Sequence, residues 1–282
     1  AYVWKTTSST NPHRVFVFFA RINLYDGKGH FATYLEDPFK GYYVLKKDQM
    51  VIRPGESYFI EIYLNEQHIY RSPPQIMPSV IEADTILARP DFIEEINEYG
   101  NLVRKNYVNI LLQTPVKPNG EDTYFIWRIE EAYAFEEKEC HPLHKPKVCY
   151  IQRPVMMEEI RVFSSENLEE GTLSDFMIAR VWADPLWEFY EKHFFNVAQH
   201  AITKEAFQYW ETVRKIAQPT GSIFDTPPAP IPGNIHNIND PEEKILGFFE
   251  VSAVDTIRTY TFREDLEPLA ITDPCPSFWW QS

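Results

Sequence analysis

Glycine is scarce, at 10 residues in 282, and the chain contains no glycine-rich phosphate loop of the Walker or dinucleotide-binding type. It also lacks the H-E-x-x-H pattern of zinc peptidases and the G-x-S-x-G elbow of serine hydrolases. No spacing supplies a nucleophile with its base or a recognised set of metal ligands, so neither catalysis nor a metal or other cofactor is expected. Positive charge is short as well. With 27 basic against 41 acidic residues the net charge is -14, which repels phosphate backbones and anionic headgroups and argues against nucleic-acid binding. No apolar run approaches the roughly 20 residues of a helical membrane span. Ala1 begins inside what reads as a strand, with no charged and apolar leader, so a preceding segment is expected to be missing.

Cysteine is reduced to Cys140, Cys149 and Cys275. The first two bracket CHPLHKPKVC, a loop that a disulfide would close, adding roughly 2–3 kcal/mol by loop entropy. Free thiols are one alternative. Metal binding by Cys140, His141, His144 and Cys149 is another, although these separations match no paired zinc knuckle.

What is abundant is aromatic and imino acid: 20 Phe, 16 Tyr, 7 Trp and 22 Pro. That balance favours strands joined by stiff connections. The predicted class is mainly β. Residues 1–78 are expected to form an Ig-like or prealbumin-like β-sandwich, and residues 79–282 a second β-rich, sandwich-like domain with one helix. In the first, Arg14–Tyr25 reads as a strand pair or one long strand, Asp26–Gly29 as a turn, His30–Leu35 as the returning strand, and Gly41–Leu45 and Ser57–Leu64 as further strands. Pro73, Pro74 and Pro78 form the stiff link.

Beyond it, Asn106–Gln113, Tyr124–Phe135, Ile160–Phe163, Asp175–Trp182 and Glu191–Ile202 read as strands. The acidic run Glu136, Glu137 and Glu139 reads as a solvated loop, and His193 and His200 as structural or exposed. Thr203–Gln218 is predicted to be a helix burying Ala206, Phe207, Trp210, Val213 and Ala217, capped by Thr203 and stopped by Pro219. A proline-stiffened arm follows, Thr226, Pro227, Pro228, Pro230, Ile231 and Pro232. Then come GNIHNINDP and two more strands, Lys244–Val251 and Asp255–Phe262. Asn234, Asn237, Asn239 and Asp240 bear oxygens suited to calcium, but local backbone bonding is the simpler use of such side chains.

A set of ordered motifs carries a resemblance. AFQYW from Ala206, GSIFDTPP from Gly221, GNI from Gly233 and NINDPEEKILGFFEVSAV from Asn237 are joined by A-x-I-x-L-x-D-G from Ala20, GYY from Gly41, PGESY from Pro54 and Y-R-S-x-x-Q-x-M-P from Tyr70. Together they resemble a family of Bacteroidota outer-membrane lipoproteins, domain of unknown function four-two-four-nine. The resemblance implies a lipid anchor on an N-terminal cysteine absent from this sequence, an outer-membrane and cell-surface location, and partnership with a TonB-dependent-receptor-type β-barrel in transport or outer-membrane protein assembly. The proline arm is the candidate docking element, already extended and cheap to order. The resemblance implies no catalytic residues. An alternative is a surface binding protein that captures a peptide, glycan or other nutrient on aromatic side chains such as Trp182, Trp187, Tyr190, Trp279 and Trp280.

Overall fold

The computed structural model describes residues 3–5, 15–136, 148–155, 160–183, 186–217, 231–267, 269 and 271. In chain order the strands begin with β1 (Trp4–Lys5), β2 (Val15–Phe16), β3 (Arg21–Asp26), β4 (Phe31–Thr33), β5 (Leu35–Asp37), β6 (Tyr42–Val44), β7 (Ser57–Tyr63), β8 (Ile69–Arg71) and β9 (Gln75–Ile76). They continue with β10 (Thr85–Ile96), β11 (Leu102–Val116), β12 (Tyr124–Glu136), β13 (Val148–Pro154), β14 (Val162–Ser164), β15 (Gly171–Trp182) and β16 (His193–Ala201). After helix α1 (Lys204–Ala217) come β17 (His236–Asn237) and β18 (Ala253–Thr261). The protein is mainly β, and the strand pairings among the described residues are antiparallel.

Two compact units divide the chain. The first comprises Ala1–Ser79 with Ile202–Ala253, and the second Val80–Ala201 with Val254–Ser282. The first unit runs to the proline link and also takes in α1 and the segment behind it. The reason lies in one edge strand: β17 pairs with β8, His236 opposite Arg71, and so completes a sheet in the order β17-β8-β7-β3-β4, with β9 also on β7.

The core of the first unit follows from the strict alternation of β3 and β7. Ile22 and Leu24 lie on one face with Tyr58, Ile60 and Ile62, while Asn23, Tyr25, Phe59 and Glu61 lie on the other, where Asn23 and Glu61 are buried as well. Ile235, Ile245, Phe249 and Val251 pack on that core from the C-terminal segment. Thr203 caps α1 through a bond from the Ala206 N–H to its Oγ1 at 3.2 Å. The helix buries less than its pattern suggests. Only Ala206 is fully buried; Phe207, Trp210 and Val213 are half-buried and Ala217 is exposed. Its contact is specific instead, with Trp210 Nε1 donating to Glu250 at 2.7 Å and Tyr209 stacked 4.5 Å from Phe248.

The second unit has one sheet ordered β10-β11-β15 and another ordered β13-β12-β16-β18, with β14 on β12. Trp127 from one sheet lies 5.4 Å from Phe176 of the other. Beside them the buried amide of Gln199 is fully used. It accepts from Trp127 Nε1 at 3.0 Å and donates to the Ile81 carbonyl at 2.9 Å and to Thr114 at 3.0 Å. β10 is absent from the sequence reading because Pro90 sits in its middle; an edge strand tolerates that missing N–H. Lys244–Val251 is not a strand: Gly247 breaks it with φ of 138°.

On β16, burial, helped by the charge of Arg128, pulls the His200 imidazole down to about 4. The unfolded chain therefore takes up this proton first as pH falls, and stability is lost between about pH 6.5 and 4. His200→Gln removes that slope. Screening at a half-buried site limits the effect to about 1 kcal/mol, and urea midpoints at pH 7 and pH 4.5 measure it. An unchanged difference between the two midpoints would contradict the assignment.

Candidate functional site

Of the predicted docking arm, Thr226, Pro227, Pro228 and Pro230 lie outside the described residues. Ile231, half-buried, and Pro232, exposed, are its visible end. The chain is then clasped to the first unit. Asn234 offers its side-chain amide like a strand edge, Nδ2 donating to the Phe249 carbonyl at 2.8 Å and Oδ1 accepting from the Phe249 N–H at 2.7 Å. The neighbouring asparagines are spent on local bonds too. Asn237 donates to Glu243 at 2.6 Å and accepts from the Asn239 N–H at 2.9 Å, Asn239 donates to the Gln67 carbonyl at 3.1 Å, and Asp240 accepts from the Glu242 N–H at 3.2 Å.

Cys149 is exposed on β13 and forms no disulfide among the described residues. Its expected partner Cys140, like Cys275, lies outside the described residues, as do His141 and His144. Among the described residues no three His, Cys, Asp or Glu side chains group as metal ligands. Trp182 is exposed and Tyr190 is half-buried beneath the Arg263 guanidinium, while Trp279 and Trp280 lie outside the described residues.

Two phenylalanines of the first unit are held out in solvent. Phe19 is 92% exposed at a φ of 61°, and its N–H donates to Glu36 at 2.9 Å. Phe39 is 96% exposed at the tip of the β5–β6 hairpin, where the Asp37 carboxylate accepts from the N–H groups of Phe39 at 3.0 Å and Lys40 at 3.1 Å. The same hairpin thus ties both backbones. Neither residue stands out in the sequence, because an apolar run such as VFVFFA reads as buried strand.

The outward face of the β3–β7 sheet carries a polar and aromatic network. Glu61, nearly buried, accepts from Tyr63 and is paired with Arg71. Burial would raise its pKa, yet these two bonds hold the carboxyl below the usual carboxylate range. Tyr25 stacks 5.0 Å from Phe59.

A second charged group lies in the other unit. His193 is fully buried between Phe189, at 4.2 Å, and Tyr133, at 5.0 Å. Its Nδ1 donates to the Glu188 carbonyl at 3.1 Å, and Nε2 meets Glu131 at 3.1 Å. Arg153 bridges Glu131 at 2.5 Å and Glu188 at 2.7 Å. Burial pushes Tyr133 up to about 12. The bonds are mutual, so the group ties β12, β13, β16 and the turn Leu186–Phe189 together, with Arg153 as its exposed member.

No curated protein and no solved structure matches the chain significantly. A family model described as "Domain of unknown function (DUF4249)" matches residues 2–258, nearly the whole chain, and the chain belongs to that family.

Proposed function

We propose that this protein is a non-catalytic, lipid-anchored outer-membrane component, displayed at the cell surface, that docks onto a β-barrel of the TonB-dependent-receptor type. The observation that carries the reading is the outward display of Phe19 and Phe39. A left-handed conformation costs a bulky residue roughly 1–2 kcal/mol, and exposing two large apolar rings costs more. Such strain and exposure persist where a partner covers them, and aromatic anchors of this kind dominate interface energies. A barrel rim, with its aromatic girdle, offers complementary surface. The described end of the proline arm, Ile231–Pro232, belongs to the same unit and supports a second point of attachment.

The test is affinity isolation of the native, anchored protein in mild detergent. A barrel protein is expected to be recovered in near-stoichiometric amount. Phe19→Asn with Phe39→Asn should reduce that recovery at least tenfold while leaving the melting temperature unchanged, because Asn tolerates the left-handed region and neither ring contributes to the core. Recovery of no barrel, or recovery indifferent to both substitutions, would overturn the reading.

A further inference from the structure

On the solvent face of the second unit, β12 carries two small residues, Ala132 and Ala134, in the middle of the sheet. Directly opposite them stand large ones: Tyr150 of β13 faces Ala134, and Phe194 of β16 faces Ala132. The result is a trough of about 480 Å³ floored by the alanines. Its walls stand two strand spacings apart, roughly 10 Å, so a flat ring packs against either wall at about 3.5–4 Å contact. Tyr150 is 84% exposed, a ring with nothing of its own to cover it.

Each wall also carries a polar group. Gln152 faces Ala132 across from Phe194 and donates to Glu130 at 3.1 Å, which fixes the amide and leaves its carbonyl open. Lys192 lies on the opposite wall. Its ammonium sits 3.6 Å above Tyr260, 4.9 Å from Phe194 and 5.3 Å from Phe262. Among the described residues no carboxylate pairs with it. The rings hold this cation in place without neutralising it. Among the described lining residues the exposed Glu191 is the other charged side chain, and Glu130 holds a further carboxylate beside Gln152.

We infer that the trough is a binding site for a uronate, a six-membered sugar ring bearing a carboxylate. The carboxylate pairs with Lys192, the apolar ring face lies on Tyr150 or Phe194, and a hydroxyl donates to Gln152. A neutral sugar leaves Lys192 without its partner, which sets the preference for an acid. The net negative charge of the chain does not forbid this, because salt at about 0.1 M confines each charge to roughly 10 Å. The inference stands independently of barrel docking, which rests on the other unit.

Titration calorimetry of the full chain with a galacturonate trimer tests it, with the neutral galactose trimer as comparison. Saturable binding of the acidic trimer is expected, at least tenfold tighter than the neutral one. Lys192→Gln should abolish the preference, Tyr150→Ala should weaken binding about tenfold, and Ala132→Leu should block the trough. All three positions are on the solvent face, and a thermal melt confirms that each variant is folded. Absence of binding, equal affinity for the neutral trimer, or unchanged binding by Ala132→Leu would each overturn the assignment.

Discussion

Glu131→Ala should destabilise the second unit by about 3–5 kcal/mol, the cost of leaving buried ionic partners behind when one member is removed. Glu131 is the hub of its group. Its side chain is 5% exposed and receives both His193, which is wholly buried, and Arg153. Removing it leaves His193 Nε2 facing a cavity and Arg153 holding only Glu188. In a folding unit of this size the loss corresponds to roughly 2–4 °C per kcal/mol, a fall of roughly 6–20 °C in Tm. A fall below 2 °C would show that the group is dispensable.

The pH dependence supplies an independent check. Burial raises the Glu131 carboxyl, but bonds from His193 and Arg153 outweigh that and hold it below the ordinary value. A depressed carboxylate contributes stability that is present above the unfolded-state value, about 4.3, and lost as pH falls through the folded one. The gap between wild type and Glu131→Gln should therefore be widest near neutrality and should close below about pH 4.5. A gap that widens on acidification would assign the stabilisation elsewhere. Measuring Glu131→Ala, His193→Ala and the double variant completes the cycle, and strong non-additivity is expected because the two side chains share one bond.

The sequence legibly encodes strands whose alternation is complete. β7 sets Tyr58, Ile60 and Ile62 on one face at period two, and the structure places both β7 and β16 within two residues of their expected ends. α1 was legible from its cap, Thr203, while its expected stop, Pro219, lies outside the described residues. What escaped were elements decided by neighbours. β10 hides behind Pro90, and the exposed β13 has no apolar alternation; each is a strand because a longer partner, β11 or β12, lies beside it. The division into two units follows the same logic. A proline link marks the first crossing, whereas the return of residues 202–253 depends on β17, two residues long, finding β8.

The candidate sites show the same split. The proline arm was visible in composition, but Phe19 and Phe39 are ordinary residues made unusual by backbone geometry. The trough depends on which side chains meet across three strands, and that register is set by pairing rather than by local sequence. Glu131 and His193 lie 62 residues apart in the chain and meet only through it.

The second large effect concerns the clasp. Gly233→Ala should cost at least the upper end of the ~1–3 kcal/mol typical of overpacking, because a methyl group there would overlap the carbonyl carbon and oxygen of Gly247 and come within 2.9 Å of its nitrogen. Backbone cannot rotate aside as a side chain can. The two segments must separate, and separation breaks both bonds between Asn234 and Phe249 and withdraws Ile235, Ile245, Phe249 and Val251 from the first core. Gly100→Ala is the matched control. Its φ of 79° is strained for alanine, but nothing lies within 4 Å of the added methyl, so only the roughly 1 kcal/mol conformational cost is expected. Limited proteolysis separates the two outcomes: Gly233→Ala should become cleavable within residues 231–252 under conditions where wild type and Gly100→Ala remain intact. Equal resistance of the three proteins would mean that the glycine pair is not what fastens the C-terminal segment, and the assignment of that segment to the first unit's core would then rest on β17 alone.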